Sequence, residues 1–214
     1  MLQKTLYIWD LADTLFIEYW DQKKSGVKNF KAYLKSLGYN LRTIKAIDYE
    51  NSYHIPFTKN ILKFKYNSGA LKMLNWAKHN GVFTTGHRKQ LSWRAVQLKH
   101  NHLPDFRKFF HVFYSTFDYG NTNKKNFQMY KDILQKSLKL GFTTIVYADN
   151  NYANCNLFIS AAARLKKQIS RFNYRLYYIR PNVQSLKGVN SHKFIASNFQ
   201  QIIKNEKSLN KPLT

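Results

Sequence analysis

The sequence predicts an α/β protein: a Rossmann-like parallel sheet with helices on both faces and a small helical insertion. Three observations carry this prediction. Short runs rich in β-branched and aromatic residues alternate with amphipathic segments of helix length. Glycines punctuate the ends of those segments. Two of the strongest runs, Tyr7-Ile8-Trp9-Asp10 and Val146-Tyr147-Ala148-Asp149, end in aspartate. Parallel sheets made of strand–helix–strand units take ligands at the carboxyl ends of their strands. Asp10 and Asp149 are therefore expected to meet at one edge.

The elements follow in order. Residues 5–9 (TLYIW) form a short buried strand. From Glu18 to Ser68 the pattern is helical but interrupted. Within it Val27, Phe30, Tyr33, Leu34 and Leu37 fall at helical spacing, with Gly38 placed to end the helix. The next helix carries Leu71, Leu74, Trp76 and Ala77 on one side and stops at Gly81, and a short strand then ends at Thr85-Gly86. An amphipathic helix over "NFQMYKDILQKSLKLG" stops at Gly141, "FTTIVYAD" is the clearest strand, and "CNLFISAAARLKK" is the helix after it. A last strand, "YRLYYIRPN", is closed by Pro181, and a last helix covers "FIASNFQQIIKN". These elements divide the chain into a core of residues 1–16 and 69–206, an insertion of residues 17–68, and a frayed tail of residues 207–214.

Composition narrows the setting. The 214 residues carry 35 Lys and Arg against 11 Asp and Glu, a formal charge of +24. Acids are absent from residues 51–104 and again from 150–205, while bases continue through both stretches. Such a surface attracts polyanions, which makes RNA or a ribonucleoprotein a candidate partner. A lone cysteine, Cys155, leaves no internal disulfide framework and suits a reducing compartment. No leader with a basic start and an apolar stretch opens the chain, and no apolar run approaches the roughly 18 residues of a membrane span. The expectation is a cytoplasmic protein with no membrane partner; no feature of the sequence sets an oligomeric state.

Four short motifs, in order and each in its structural context, carry the chemistry. An apolar strand runs into Asp10-Leu11-Ala12-Asp13-Thr14-Leu15. A helix and glycine precede a strand that ends in Thr84-Thr85-Gly86-His87. A lysine stands just before a helix, where the helix register favours Lys124 over Lys125. A second apolar strand ends in Asp149-Asn150, with Asn154 beyond it. Together these motifs resemble the haloacid dehalogenase-like (HAD) hydrolase superfamily over roughly residues 5–182. Thr85 is the best match to the hydroxyl residue of the second motif and Thr84 stands next to it.

The resemblance implies a catalytic set of Asp10, Thr85 and Lys124, with Asp10 as a carboxylate nucleophile toward phosphorus. It implies a Mg²⁺ site built from Asp10, the Ala12 carbonyl, Asp149 and Asn150, and a phosphorylated substrate held near Thr14, Thr84, Gly86 and His87. Oxygen ligands suit Mg²⁺, and a cation is needed where anionic substrate meets carboxylates. Two positions depart from the family pattern. Ala12 stands where related phosphatases carry an Asp that acts as general acid and base, which implies slow turnover of esters with poor leaving groups. Asn150 stands where a second acid is common. Phosphonate-cleaving relatives also carry Ala at the first position and use an insertion lysine; Lys23, Lys24, Lys28, Lys31 and Lys35 all offer one. Asp13 points away from the site on extended backbone and reads as a turn or capping residue. Tyr19, Trp20 and the stretch from Asp48 to Phe57 read first as packing for the insertion and second as a pocket lining.

Two functions follow: a Mg²⁺-dependent hydrolase of phosphate esters or phosphonates, or a catalytically weakened scaffold that binds RNA or a ribosome through its bases.

Overall fold

The computed structural model describes residues 4–86, 88–100, 102–121, 123–180 and 186–209. In chain order their strands are β1 (Thr5–Trp9), β2 (Phe16–Trp20), β3 (Leu62–Tyr66), β4 (Asn80–Thr84), β5 (Phe110–Ser115), β6 (Thr144–Asp149), β7 (Asn173–Ile179), β8 (Lys187–Asn190) and β9 (Lys193–Ala196). The helices are α1 (Gln22–Ser25), α2 (Phe30–Ser36), α3 (Ala46–Thr58), α4 (Ala70–Trp76), α5 (Arg88–His100), α6 (Phe127–Lys139), α7 (Tyr152–Gln168) and α8 (Phe199–Leu209). The described residues form a seven-stranded sheet in the order β5-β4-β1-β6-β7-β9-β8, parallel except for β8. Among them, no helix is long and apolar enough to cross a membrane.

Alternation along each strand sorts the core into two layers. Tyr7, Trp9, Val82, Val146 and Ala148 face α4, α5 and α8, whereas Leu6, Ile8, Phe83, Ile145 and Tyr147 face α6 and α7. Both faces of β1 and β6 are covered, which is why these strands read as continuous apolar runs. From β1 the chain passes to β4 and β5 on one side of the sheet, then returns to β6 and β7 on the other. The carboxyl ends of β1 and β6 therefore flank the point where strand order reverses, the place where such sheets form a crevice. Asp10 follows β1 directly and Asp149 ends β6, with Trp9 and Ala148 in register just before them.

The structure corrects several details of the sequence reading. The segment from Glu18 to Ser68 is not helical throughout: β2 and β3 pair antiparallel from Phe16↔Tyr66 to Trp20↔Leu62 and carry α1, α2 and α3 between them. In β3, Leu62 and Phe64 are buried while Lys63 and Lys65 are exposed, a period of two and not of 3.6. Gly81 is no helix stop. It lies within β4, where an added Cβ would stand 2.5 Å from Cγ2 of Val112, so the close approach of β5 demands glycine. The preceding helix ends at Trp76 because the buried Asn80 side chain donates to the carbonyls of Leu74 and Ala77 (3.0 and 2.9 Å). The last helix does not begin at Phe194: residues 193–196 form β9 between β7 and β8, and α8 starts after Asn198, whose side chain accepts from the Gln201 amide. Residues 207–209, read as part of a frayed tail, continue α8. Helix α5 and strand β5 were not anticipated. Pro181 and the tail beyond Leu209 lie outside the described residues.

Candidate active site

The loop after β1 folds back tightly on itself. The amides of Leu15 and Phe16 donate to the carbonyls of Asp10 and Leu11, and Asp13 takes a left-handed conformation at φ 54°. Asp13 is thus a turn residue, and its Oδ1 accepts from the Glu18 amide. This turn presents Thr14 to two partners. Its hydroxyl lies 3.1 Å from Oδ2 of Asp10 and accepts the amide of Asn150 at 3.1 Å, which ties the β1 loop to the β6 loop.

Lys124, just before α6, reaches both carboxylates. Its ammonium donates to Oδ1 of Asp10 and, at 3.1 Å, to Oδ2 of Asp149, and it lies 4.9 Å from the centre of the Phe83 ring. Lys124 is buried, whereas Lys125 is exposed. Asp149 also accepts from the Tyr147 hydroxyl, Asn154 Nδ2 and the Asn151 amide. The electrostatics are unbalanced, with two carboxylates against one ammonium. Burial pushes the Asp10 carboxyl up to about 6; Lys124 pulls it down and Asp149 pushes it up again. Burial pulls the Lys124 ammonium down, but Asp10 and Asp149 more than reverse this and hold it above the ordinary lysine range.

A cavity of about 500 Å³ opens over Asp10 and is lined by Ala12, Thr84, Thr85, Trp20, Tyr53 and Arg94, among others. The insertion supplies its aromatic wall: Phe30 meets Tyr53 and Tyr49 edge to face at 4.5 and 5.3 Å. The aromatics of the insertion therefore do both things considered from the sequence, packing one another and lining the cavity. Tyr19 is exposed instead. A larger cavity, about 700 Å³, runs along the outer side of β5 beside Arg107, Lys136 and Lys139; none of the motif residues line it.

The remaining sequence candidates fall as follows. The Thr84 hydroxyl accepts the Gly86 amide at 3.3 Å, so that amide is committed within the turn. Thr85 lines the cavity, and its carbonyl accepts from the Thr116 hydroxyl. Oδ1 of Asn150 lies 3.5 Å from the Thr14 hydroxyl. His87 lies outside the described residues. Cys155 is fully buried with its thiol 3.6 Å from the Asp149 carbonyl, and burial pushes the thiol well up. Of the five insertion lysines considered from the sequence, Lys31 lines the cavity. Sequence reasoning missed Arg94 and Glu18. Arg94 stands on the buried stripe of α5 with Ala95 and Leu98, and a lone charge on such a stripe was the available signal.

The donor set suits a hard cation. Each oxygen of Asp10 accepts one hydrogen bond and keeps a lone pair, as does Oδ1 of Asp149, and the net charge of the cluster is negative. Among the described residues, no group of three or more His, Cys, Asp or Glu side chains gathers to form a metal site.

Fold and site together define an α/β protein with a Rossmann-like, mostly parallel sheet and a buried carboxylate–ammonium–carboxylate cluster at its switch point. No family model matches the chain, and no curated protein matches it. Five solved chains match in structure. One is the UTR4 protein (unknown transcript 4 protein) of Saccharomyces cerevisiae, 15% identical with a TM-score of 0.46, the match covering 84% of this chain and 70% of that one.

Proposed function

We propose that the protein is a HAD-like, Mg²⁺-dependent hydrolase that cleaves a phosphate ester or phosphonate with Asp10 as nucleophile. The observation that supports this most is the meeting of Asp10 and Asp149 on one buried lysine, directly beneath a cavity at the sheet's switch point. A bound Mg²⁺, held by Asp10, Asp149, the Ala12 carbonyl and Asn150, would supply positive charge for phosphoryl oxygens. The chain's own residues do the rest. Thr14 and Lys124 fix the Asp10 carboxylate, one on each oxygen, so that it meets phosphorus in a single orientation. Asp10 forms the new bond to phosphorus as the ester oxygen leaves, and water then hydrolyses the aspartyl phosphate to release phosphate and restore the carboxylate. Lys124 offsets charge on both sides of the transfer, and the Thr85 hydroxyl donates to a phosphoryl oxygen. Ala12 offers no proton to the leaving oxygen, so that proton comes from water and esters with weakly basic leaving groups are the better substrates; a phosphonate is cleaved only where an iminium formed between a lysine and its neighbouring carbonyl takes up the electron pair left on carbon. In this reading residues 17–68 act as a cap over the site. Lys31, placed on the cavity lining, is the insertion lysine through which a phosphonate substrate would be engaged.

A panel of phosphate esters and phosphonates, assayed with Mg²⁺ beside an Asp10→Asn control, tests the reading. Turnover that needs both Mg²⁺ and Asp10 supports it; turnover that survives Asp10→Asn, or none on any substrate, counts against it.

The charge favours a second reading, a basic binding module for RNA or a ribonucleoprotein. Asp10, Asp149 and Glu206 are buried among the acids and Arg94 and Lys124 among the bases, so the surface keeps the whole excess of bases. Retention on an RNA column that falls steeply with salt, with no turnover of any ester, would favour this reading.

A further inference from the structure

Among the described residues, Arg94 alone has two buried side-chain nitrogens without a hydrogen-bond partner. It is 2% exposed, yet its Nε and Nη1 have no hydrogen-bond partner. Its Nη2 makes an ion pair with Oε1 of Glu18, and its guanidinium lies 5.1 to 5.7 Å from the centres of the Phe16, Phe57 and Phe64 rings. Burial pulls the guanidinium down, but Glu18 and Tyr53 more than reverse this, so it stays charged. A buried charge with unmet donors is costly and calls for an explanation, of which a ligand that completes it is one.

The surroundings define that ligand. Arg94 and Asp10 line the same cavity as Trp20, Phe30 and Tyr53, and Tyr53 donates to Glu18, the partner of Arg94. Glu18 already takes one side of the guanidinium, and Asp10 and Asp13 bring the acids of the lining to three against the two bases Arg94 and Lys31, so a single negative charge fits better than a dianion. The aromatic wall calls for an apolar or flat body beside that charge. We infer that the cavity is a subsite for a carboxylate carried on an apolar leaving portion of the substrate, with Arg94 donating to the carboxylate through the N–H groups that Glu18 leaves free. The substrate half of this inference rests on the hydrolase reading above; the binding half does not.

The test separates the two. In metal-free buffer, binding of 4-hydroxybenzoate and of phenol is measured by calorimetry for wild type, Arg94→Met and Glu18→Gln. Charge-assisted hydrogen bonds predict that wild type prefers the carboxylate by about 10- to 100-fold. Arg94→Met should lose that preference, and Glu18→Gln, which removes the internal competitor, should strengthen it. A residue that only clamps β2 to α5 predicts no such change of preference. If Arg94→Met does not fold, the Glu18→Gln result decides alone. Equal binding of both probes by wild type, or a preference that survives Arg94→Met, overturns the inference. With Mg²⁺, kcat/KM for 4-carboxyphenyl phosphate against phenyl phosphate should show the same preference. Binding of the carboxylate without turnover of either ester would uphold the subsite and remove the hydrolase reading; turnover of both at equal kcat/KM, without preferential binding, would do the reverse.

Discussion

Two buried ionic clusters lie on the same sheet and are built to opposite ends. Glu206 of α8 is fully buried and accepts four hydrogen bonds: two from Arg175, one from the Tyr7 hydroxyl and one from the Tyr177 hydroxyl, at 2.6 to 2.9 Å. Its lone pairs are all used. Three residues further along the strands, Asp10 keeps a lone pair on each oxygen, and Arg94 of α5, on the lining of the same cavity, keeps two nitrogens without acceptors. The closed cluster pins α8 to the sheet and has nothing left to offer a ligand. The open one holds charge in place and leaves it unfinished. In a chain with only 11 acids, both positions are costly, and the two clusters differ in how far their hydrogen bonding is satisfied.

The largest effect should come from breaking each cluster in turn. Glu206→Gln leaves Arg175 without its counter-charge and places amide hydrogens among donors; a loss of about 3–5 kcal/mol is expected from urea unfolding. Lys124→Met should destabilise to a similar degree in metal-free buffer, because it leaves Asp10 and Asp149 facing each other unpaired. The two should part on adding Mg²⁺. An open cluster freed of its ammonium binds a cation better, so millimolar Mg²⁺ should recover part of the Lys124→Met loss. The Glu206→Gln variant should respond no more than wild type does. Equal responses would erase the distinction between the clusters.

A smaller effect should appear with pH. The Asp10 carboxyl sits at about 6 in the folded protein against an ordinary 3.8. Between about pH 4 and 6 the folded state then binds more protons than the unfolded chain, so this group lowers stability as pH rises through that window. Above it the cost is fully present, with a ceiling of about 3 kcal/mol for a shift of this size. Asp10→Asn removes the titration. The stability of the variant minus that of wild type, from thermal or urea unfolding in chelator, should therefore climb from pH 4 to 6 and level off above. A difference that stays flat would mean that Lys124 neutralises the site more completely than its geometry indicates.

Much of this was legible in the sequence, and the gaps have physical causes. β1 and β6 stood out because burial on both faces makes a strand apolar throughout, and their terminal aspartates placed the crevice. Lys124 was legible through the resemblance of a lysine just before an amphipathic helix to a family motif, with the helix register choosing it over Lys125. The ribbon of β2 and β3 was hidden because a two-stranded element with one wet face carries lysines and a glutamate among its aromatics. Gly81 misled because glycine serves a helix end and a close strand approach equally well, and only Val112 tells them apart. β9 was absorbed into the last helix because four residues are too few to show a period. Arg94 was missed for a different reason. Its importance lies in what it fails to touch, and unmet donors leave no mark on sequence periodicity.

The smallest change sharpens the open cluster most. Ala12 lines the cavity beside Asp10, on a backbone pinned by the hydrogen bonds of the β1 loop. In the hydrolase reading a carboxylic acid at this position would give its proton to the leaving oxygen and, as the carboxylate, then take one from the water that hydrolyses the aspartyl phosphate. Ala12→Asp should raise kcat/KM on an ordinary phosphomonoester by roughly 10²-fold, the usual worth of a positioned acid–base group. Two effects oppose the gain: the new charge crowds Asp10 and Asp149, and it offers Arg94 a second internal partner in competition with substrate. The second effect gives the variant a signature of its own. If Arg94 holds the leaving portion, Ala12→Asp should gain less on 4-carboxyphenyl phosphate than on phenyl phosphate. The comparison needs wild type, Ala12→Asp and Asp10→Asn/Ala12→Asp on both esters at saturating Mg²⁺. A gain abolished by Asp10→Asn places the nucleophile and the added acid in one site. No gain on either ester would show that the loop does not present residue 12 to the reacting atoms, and the closed and open clusters would then differ in hydrogen bonding alone.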